Sequence, residues 1–118
     1  MRSFSTPGAR SFQQKGIGME WLYSKGIPIE AQYLYRKARE LARQGQPGMA
    51  LNYFRQAIVI APQYSQAYYQ MGNCLALLGK YPEALEKYER AIRIDPSAPK
   101  FRETMEHIRS RQGNNKKE

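Results

Sequence analysis

Cysteine, histidine and tryptophan each occur once in this chain of 118 residues, and acidic residues are scarce: 10 Asp and Glu against 19 Lys and Arg. With Cys74 alone, neither an intrachain disulfide framework nor a cluster of thiolate zinc ligands can be built. A reducing compartment is the simpler setting, and a cytoplasmic location is expected. His107 stands without a paired-Cys cluster, a His–Glu metal spacing or a Gly-rich phosphate loop, so no catalytic residue, metal or cofactor is expected. Long apolar runs are also missing. Stretches such as 74–78 fall far short of the roughly 20 residues a membrane span requires, so no membrane partner is expected.

What is present is a chain of 42% apolar and 25% charged residues, the balance of a soluble globular protein rather than a disordered one. Its size fits one small domain or a short array of repeats. The formal charge of +9 is dispersed, with +4 in residues 31–64, 0 in 65–99 and +3 in 100–118. An acidic partner therefore has to be considered, although no single basic arm exists. Residues 1–15 read as a flexible leader. The opening MRSFSTPGARSFQQKG, rich in Arg and Ser and free of acid, also has the outline of an organellar presequence.

The dominant feature is a phrase written twice, ALNYFRQAIVIAP at 50–62 and ALEKYERAIRIDP at 84–96, an offset of 34 residues. The same offset pairs Gly45 with Gly79, Ala57 with Ala91, Gln32 with Gln66, Tyr35 with Tyr69, Ala38 with Gly72 and Leu41 with Leu75. Apolar residues in each unit recur at the three-and-four spacing of amphipathic helices. Gly45 and Gly79 are placed to end a first helix in the left-handed conformation. Pro47 and Pro82 fall where the next helix starts, and Pro62 and Pro96 stop it. Small residues at 50, 57, 84 and 91 allow helices to cross at about 8–10 Å.

Tyr68, Met71-Gly72 and Leu75, followed by Ala84, Tyr88, Ala91 and Pro96, resemble the signature of the tetratricopeptide repeat. The unit at 65–98 is the better copy. That at 31–64 departs from the pattern at Lys37, where an apolar residue is usual. The resemblance implies an all-α fold of antiparallel helix-turn-helix repeats stacked as a short right-handed solenoid of about six helices. The expected organisation is a degenerate half-repeat helix at 16–28, carrying Ile17 and Trp21, then the two full units. A capping helix follows at 99–111 with Phe101, Met105 and Ile108 as its apolar stripe, and then a disordered tail at 112–118. Glu83, Glu86, Glu89 and Asp95 lie at helical spacing from Lys87, Arg90 and Arg93, which predicts an ion-paired solvent face.

The resemblance further implies a non-catalytic protein-interaction module. Its first helices line a concave groove for a peptide, with an acidic segment among the expected ligands. Carried onto this chain, the groove residues are Gln32, Tyr35, Arg39, Ala42, Arg43, Gln66, Tyr69, Asn73, Ala76 and Leu77, continued on the end helix by Lys100 and Glu103. The carboxylate-gripping pattern found in part of the family is matched only by Asn73 and Lys100. The twice-written Gln–Tyr pairs can serve a groove, amide for backbone and ring for side chain, or can be duplicated packing. One alternative is self-association through Trp21, Phe101 and Met105, giving a homo-oligomer. Binding of nucleic acid through the basic run at 36–43 is less favoured.

Overall fold

The computed structural model describes residues 26–117, with side chains to residue 113. The expected leader and all but the last three residues of the expected half-repeat lie outside the described residues. Among the described residues five helices follow one another: α1 Ile29–Arg43, α2 Pro47–Ile60, α3 Ser65–Leu77, α4 Tyr81–Ile94 and α5 Pro99–Lys117. Each packs chiefly on its neighbours in sequence. This is the connectivity of stacked helical hairpins.

The two hairpin turns are chemically identical. At the end of α1, Gly45 takes φ +81° and donates to the Ala42 carbonyl, while the Gln46 N–H reaches the Leu41 carbonyl at 3.0 Å. At the end of α3, Gly79 takes φ +80° and donates to Ala76, and the Lys80 N–H reaches Leu75 at 2.9 Å. Both are six-to-one and five-to-two closures that satisfy the orphaned carbonyls of a helix end. Pro47 and Pro82 then sit in the first turns of α2 and α4, where a missing N–H costs nothing.

The core is continuous from α1 to α5. Ala31, Ala38, Ala50, Ala57, Ala67, Ala84 and Ala91 are fully buried at the helix crossings, and Phe54 and Tyr88 fill the space between. The fifth helix repeats the register of the third. Ala67, Met71 and Cys74 on α3 are buried, and so are Phe101, Met105 and Ile108, one offset of 34 further on. Burial of each large apolar side chain contributes about 1.5–3 kcal/mol. The opposite side of α5 is polar. Tyr68, Gly72 and Leu75 are covered on α3, whereas their counterparts Arg102, Glu106 and Arg109 are exposed. The fifth helix is therefore the first helix of a third unit, with a solvated outer face.

Three sequence expectations need correction. The last helix does not stop at 111: it continues to Lys117, because neither a proline nor a left-handed glycine interrupts 112–117 and a helical Gly113 costs only about 1 kcal/mol. The ion-paired face of α4 is sparse. Among the described residues its one ion pair joins Glu89 to Arg109 of α5 at 3.9 Å, and the Arg90 guanidinium instead lies over the Tyr68 ring, 5.3 Å from its centre. Finally, Phe101 and Met105 cannot form an interface with a second copy while α5 is docked, since both are buried against their own chain. Lys37, the departure from the pattern, is exposed, with its ammonium 5.7 Å from the Tyr53 ring centre.

Candidate functional site

Two tyrosines nominated for the groove belong to the core. Tyr35 is 7% exposed and packs edge-on to Phe54 and against Tyr64, with ring centres at 5.6 and 4.9 Å. Tyr69 is 6% exposed, stacks on Phe101 at 4.7 Å, and its hydroxyl is hydrogen-bonded to Thr104 Oγ1 at 2.9 Å. Each ring thus welds its own helix to the next first helix or to the segment leading into it. Gln32, the partner of Tyr35 in the repeated pair, donates its side-chain N–H to the Ile27 carbonyl at 2.8 Å, and Gln66 is half-buried. On α1, Arg39 lies over the Tyr35 ring, and exposed Arg43 is ion-paired with Glu40, whose carboxyl it holds below the usual range. Lys100 is exposed at the start of α5.

Of the other nominated residues, Ala42 stays on α1, and Asn73, Ala76 and Leu77 come together. Asn73, Ala76 and Leu77 of α3 form one wall of a cleft of about 440 Å³, completed by Tyr81 and Tyr88 of α4 and by Ile108 and Arg111 of α5. Leu77 is 71% exposed there, an apolar side chain left without cover. At the base, the Tyr88 hydroxyl donates to Asn73 Oδ1 at 2.7 Å, and Asn73 Nδ2 lies 3.5 Å from Gln70 Oε1. Burial, with Tyr69 and Cys74 nearby, pushes the Tyr88 phenol above its ordinary range, so it remains a donor. Burial likewise raises the Cys74 thiol to about 11, which leaves it protonated and unreactive at neutral pH. Among the described residues no group of His, Cys, Asp and Glu is arranged to hold a metal ion. None of the described helices is long and apolar enough to cross a membrane.

Tyr81, Tyr88, Ile108 and Arg111 were not nominated from the sequence. The signal for two of them was available, because Arg111 stands one offset beyond Leu77 and Ile108 one offset beyond Cys74. Tyr88 enters the sequence reading only as the second-helix aromatic of the repeat signature.

A cleft bounded by successive first helices and the intervening second helix is a product of the stacked repeat, and the tetratricopeptide repeat family model matches residues 35–99. The chain belongs to the tetratricopeptide repeat family. Repeats of this family generally mediate contacts between proteins. The chain is 33% identical over 92 residues to small glutamine-rich tetratricopeptide repeat-containing protein 2 of Mycosarcoma maydis, covering 75% of this chain and 26% of that protein. It is 35% identical over 66 residues to the uncharacterized protein MJ0572 of Methanocaldococcus jannaschii, covering 56% of this chain and 77% of that protein. A weaker similarity, 27% over 84 residues, links 71% of this chain to 10% of the human protein O-mannosyl-transferase TMTC1. The tetratricopeptide array here thus spans about a quarter of the fungal relative and a tenth of the human one.

Proposed function

We propose that this tetratricopeptide array is a non-catalytic binding module that holds a peptide segment of a partner protein in the cleft between α3, α4 and α5. The observation that carries this reading is the cleft itself, about 440 Å³ with an uncovered Leu77 on one wall and Arg111 on the other. That volume lies within the range of sites that enclose small ligands or individual side chains. Its apolar walls supply burial, and the Arg111 guanidinium supplies orientation. Of the residues that the family resemblance nominates, Asn73 and Leu77 line this cleft together with Arg111, and the proposed site is centred on these three.

The test is affinity capture from the native lysate with the wild type and a Leu77→Asp/Arg111→Glu double variant side by side. Both side chains are exposed, so the melting temperature should change by no more than a few degrees. Recovery of the specific partner should fall by roughly tenfold or more, the loss of about 1.4 kcal/mol or more of binding free energy. An identical set of captured proteins at identical yield would remove the cleft from the binding surface.

A further inference from the structure

The second helices of the two units share a buried side and differ on the side that faces solvent. On α2 the exposed stripe opposite Ala50, Phe54 and Ala57 is Met49, Asn52, Gln56 and Val59. One offset of 34 further on, α4 carries Glu83, Glu86, Arg90 and Arg93 at the same places, all exposed. A charged stripe of that kind is an ordinary solvated helix face. The α2 stripe is uncharged, with Met49 51% and Val59 81% exposed, in a chain of formal charge +9. Arg55 is the one charged residue of α2. It stands at the edge of the stripe, where Nη1 donates to Asn52 Oδ1 at 3.3 Å.

The order of the stripe identifies its partner. Met49, Asn52, Gln56 and Val59 read apolar, amide, amide, apolar at intervals of three, four and three residues, and the pattern is the same read backwards. Alternating intervals of three and four are those of a seam between two packed helices. A pattern that is its own reverse matches an antiparallel copy of itself about a two-fold axis level with Phe54. In that register Met49 meets Val59 of the second copy at each end, and Asn52 meets Gln56 between them. Asn52 Oδ1 already accepts from Arg55, so its amide N–H groups are the ones that reach Gln56 Oε1 across the seam. Central amides fix register, as a single polar residue does in a coiled coil. Half-buried Tyr53 and exposed Ile60 widen the contact along one edge. No charged side chain has to be desolvated inside the seam.

We propose that the solvent face of α2 is a homodimer seam, on which a second copy of this chain lays its own Met49, Asn52, Gln56 and Val59 antiparallel. The seam is about 15 Å long and buries less than the roughly 800 Å² per partner of a standard interface. The dimer is accordingly weak, with a dissociation constant on the order of 10–100 µM. Charge gives it a signature. Two chains of +9 repel one another, and each Arg55 approaches its own copy along the second edge, so salt strengthens the association by screening. None of the four seam residues lines the cleft between α3, α4 and α5, so the dimer carries two open clefts and neither reading depends on the other.

Sedimentation equilibrium of the full chain from about 5 to 500 µM should show a monomer–dimer equilibrium that tightens about threefold from low to high salt. Gln56→Arg/Val59→Arg copies the arginines that α4 carries at these exposed places. It should keep the melting temperature within a few degrees and weaken association at least about tenfold. Orientation is read by cross-linking Met49→Cys with Val59→Cys, each made as a single variant; Cys74 is buried and does not interfere. Mixed under mild oxidation, the two should form a disulfide dimer that neither forms alone. A chain that stays monomeric throughout overturns the proposal and leaves the stripe to a different protein. A dimer that survives the double variant or dissolves in salt also overturns it, and belongs to a charged face such as that of α4. A disulfide that either cysteine variant forms with itself as readily as in the mixture rules out the antiparallel seam.

Discussion

Tyr69→Ala is expected to be among the most damaging single substitutions in the array, lowering stability by about 3–5 kcal/mol, as removal of a buried aromatic does. The ring is almost fully buried, stacks on Phe101 at 4.7 Å and lies 5.8 Å from Tyr88, so its loss opens a cavity at the junction of α3, α4 and α5. It also removes the hydroxyl that bonds Thr104. The fifth helix should loosen first, because Phe101 would lose its stacking partner. Urea or thermal denaturation followed by helical circular dichroism measures the effect. Tyr69→Phe is the control: the rings remain, only the Thr104 hydrogen bond goes, and the cost should be about 0.5–1.5 kcal/mol. If Tyr69→Ala melts like the wild type, the ring is not part of the core.

Gly72→Ala is the second. Alanine is ordinarily the better helix former by about 1 kcal/mol, so at an exposed site this change would stabilise. Here the new methyl would meet Tyr88 Cε1, Cδ1 and Cζ at 2.5, 2.7 and 2.9 Å. The ring is fully buried and its hydroxyl is tied to Asn73, so it cannot swing aside as a surface side chain would. Overpacking of this kind costs about 1–3 kcal/mol and should outweigh the helix gain. A fall of roughly 5–10 °C in melting temperature is the expected reading for an array of this size. Tyr88→Phe introduced on the same chain should recover part of the loss, because Ala38 and Phe54 form that very pair in the first unit. An unchanged or higher melting temperature for Gly72→Ala would mean that Tyr88 does not press on α3 as described.

These two positions also mark where the sequence was and was not legible. The scaffold was, because its instructions are local: Gly45 and Gly79 for the left-handed turns, Pro47 and Pro82 for the next starts, alanines at the crossings. The same offset extended to Phe101, Met105 and Ile108 places α5 as a third first helix. Identity between units, however, does not say whether a duplicated residue packs or binds. Tyr35 and Tyr69, which the sequence leaves open between ligand contact and duplicated packing, pack as repeated welds between successive helices. The cleft is instead built where the units differ, with Asn73 in place of Arg39, Leu77 in place of Arg43 and Tyr88 in place of Phe54. Its far wall, Ile108 and Arg111, was legible only by carrying the offset one step further, from Cys74 and Leu77. Side-chain partnership was the remaining illegible step. Spacing suggested that Arg90 pairs with an acid, but the aromatic face of Tyr68 is what it covers.

The dispersed basic charge has a matching explanation. On α1 it is partly neutralised and partly used as packing, with Arg43 held to Glu40 and Arg39 laid over Tyr35. In the cleft, among the described residues, a single guanidinium, that of Arg111, faces apolar walls. A uniformly basic surface would give binding that collapses with salt. A cleft of this composition should keep a salt-resistant apolar component.

The central claim, that the partner is held between α3, α4 and α5, is tested most directly by locating a bound segment on the chain. Proton–nitrogen correlation spectra of the full chain should be recorded while the peptide segment recovered from the captured partner is titrated in. The account predicts progressive shifts at Asn73, Ala76, Leu77, Ile108 and Arg111, with Met49, Asn52, Arg55 and Val59 of α2 unmoved. Shifts confined to α1 and α2, with the cleft residues still, would contradict it.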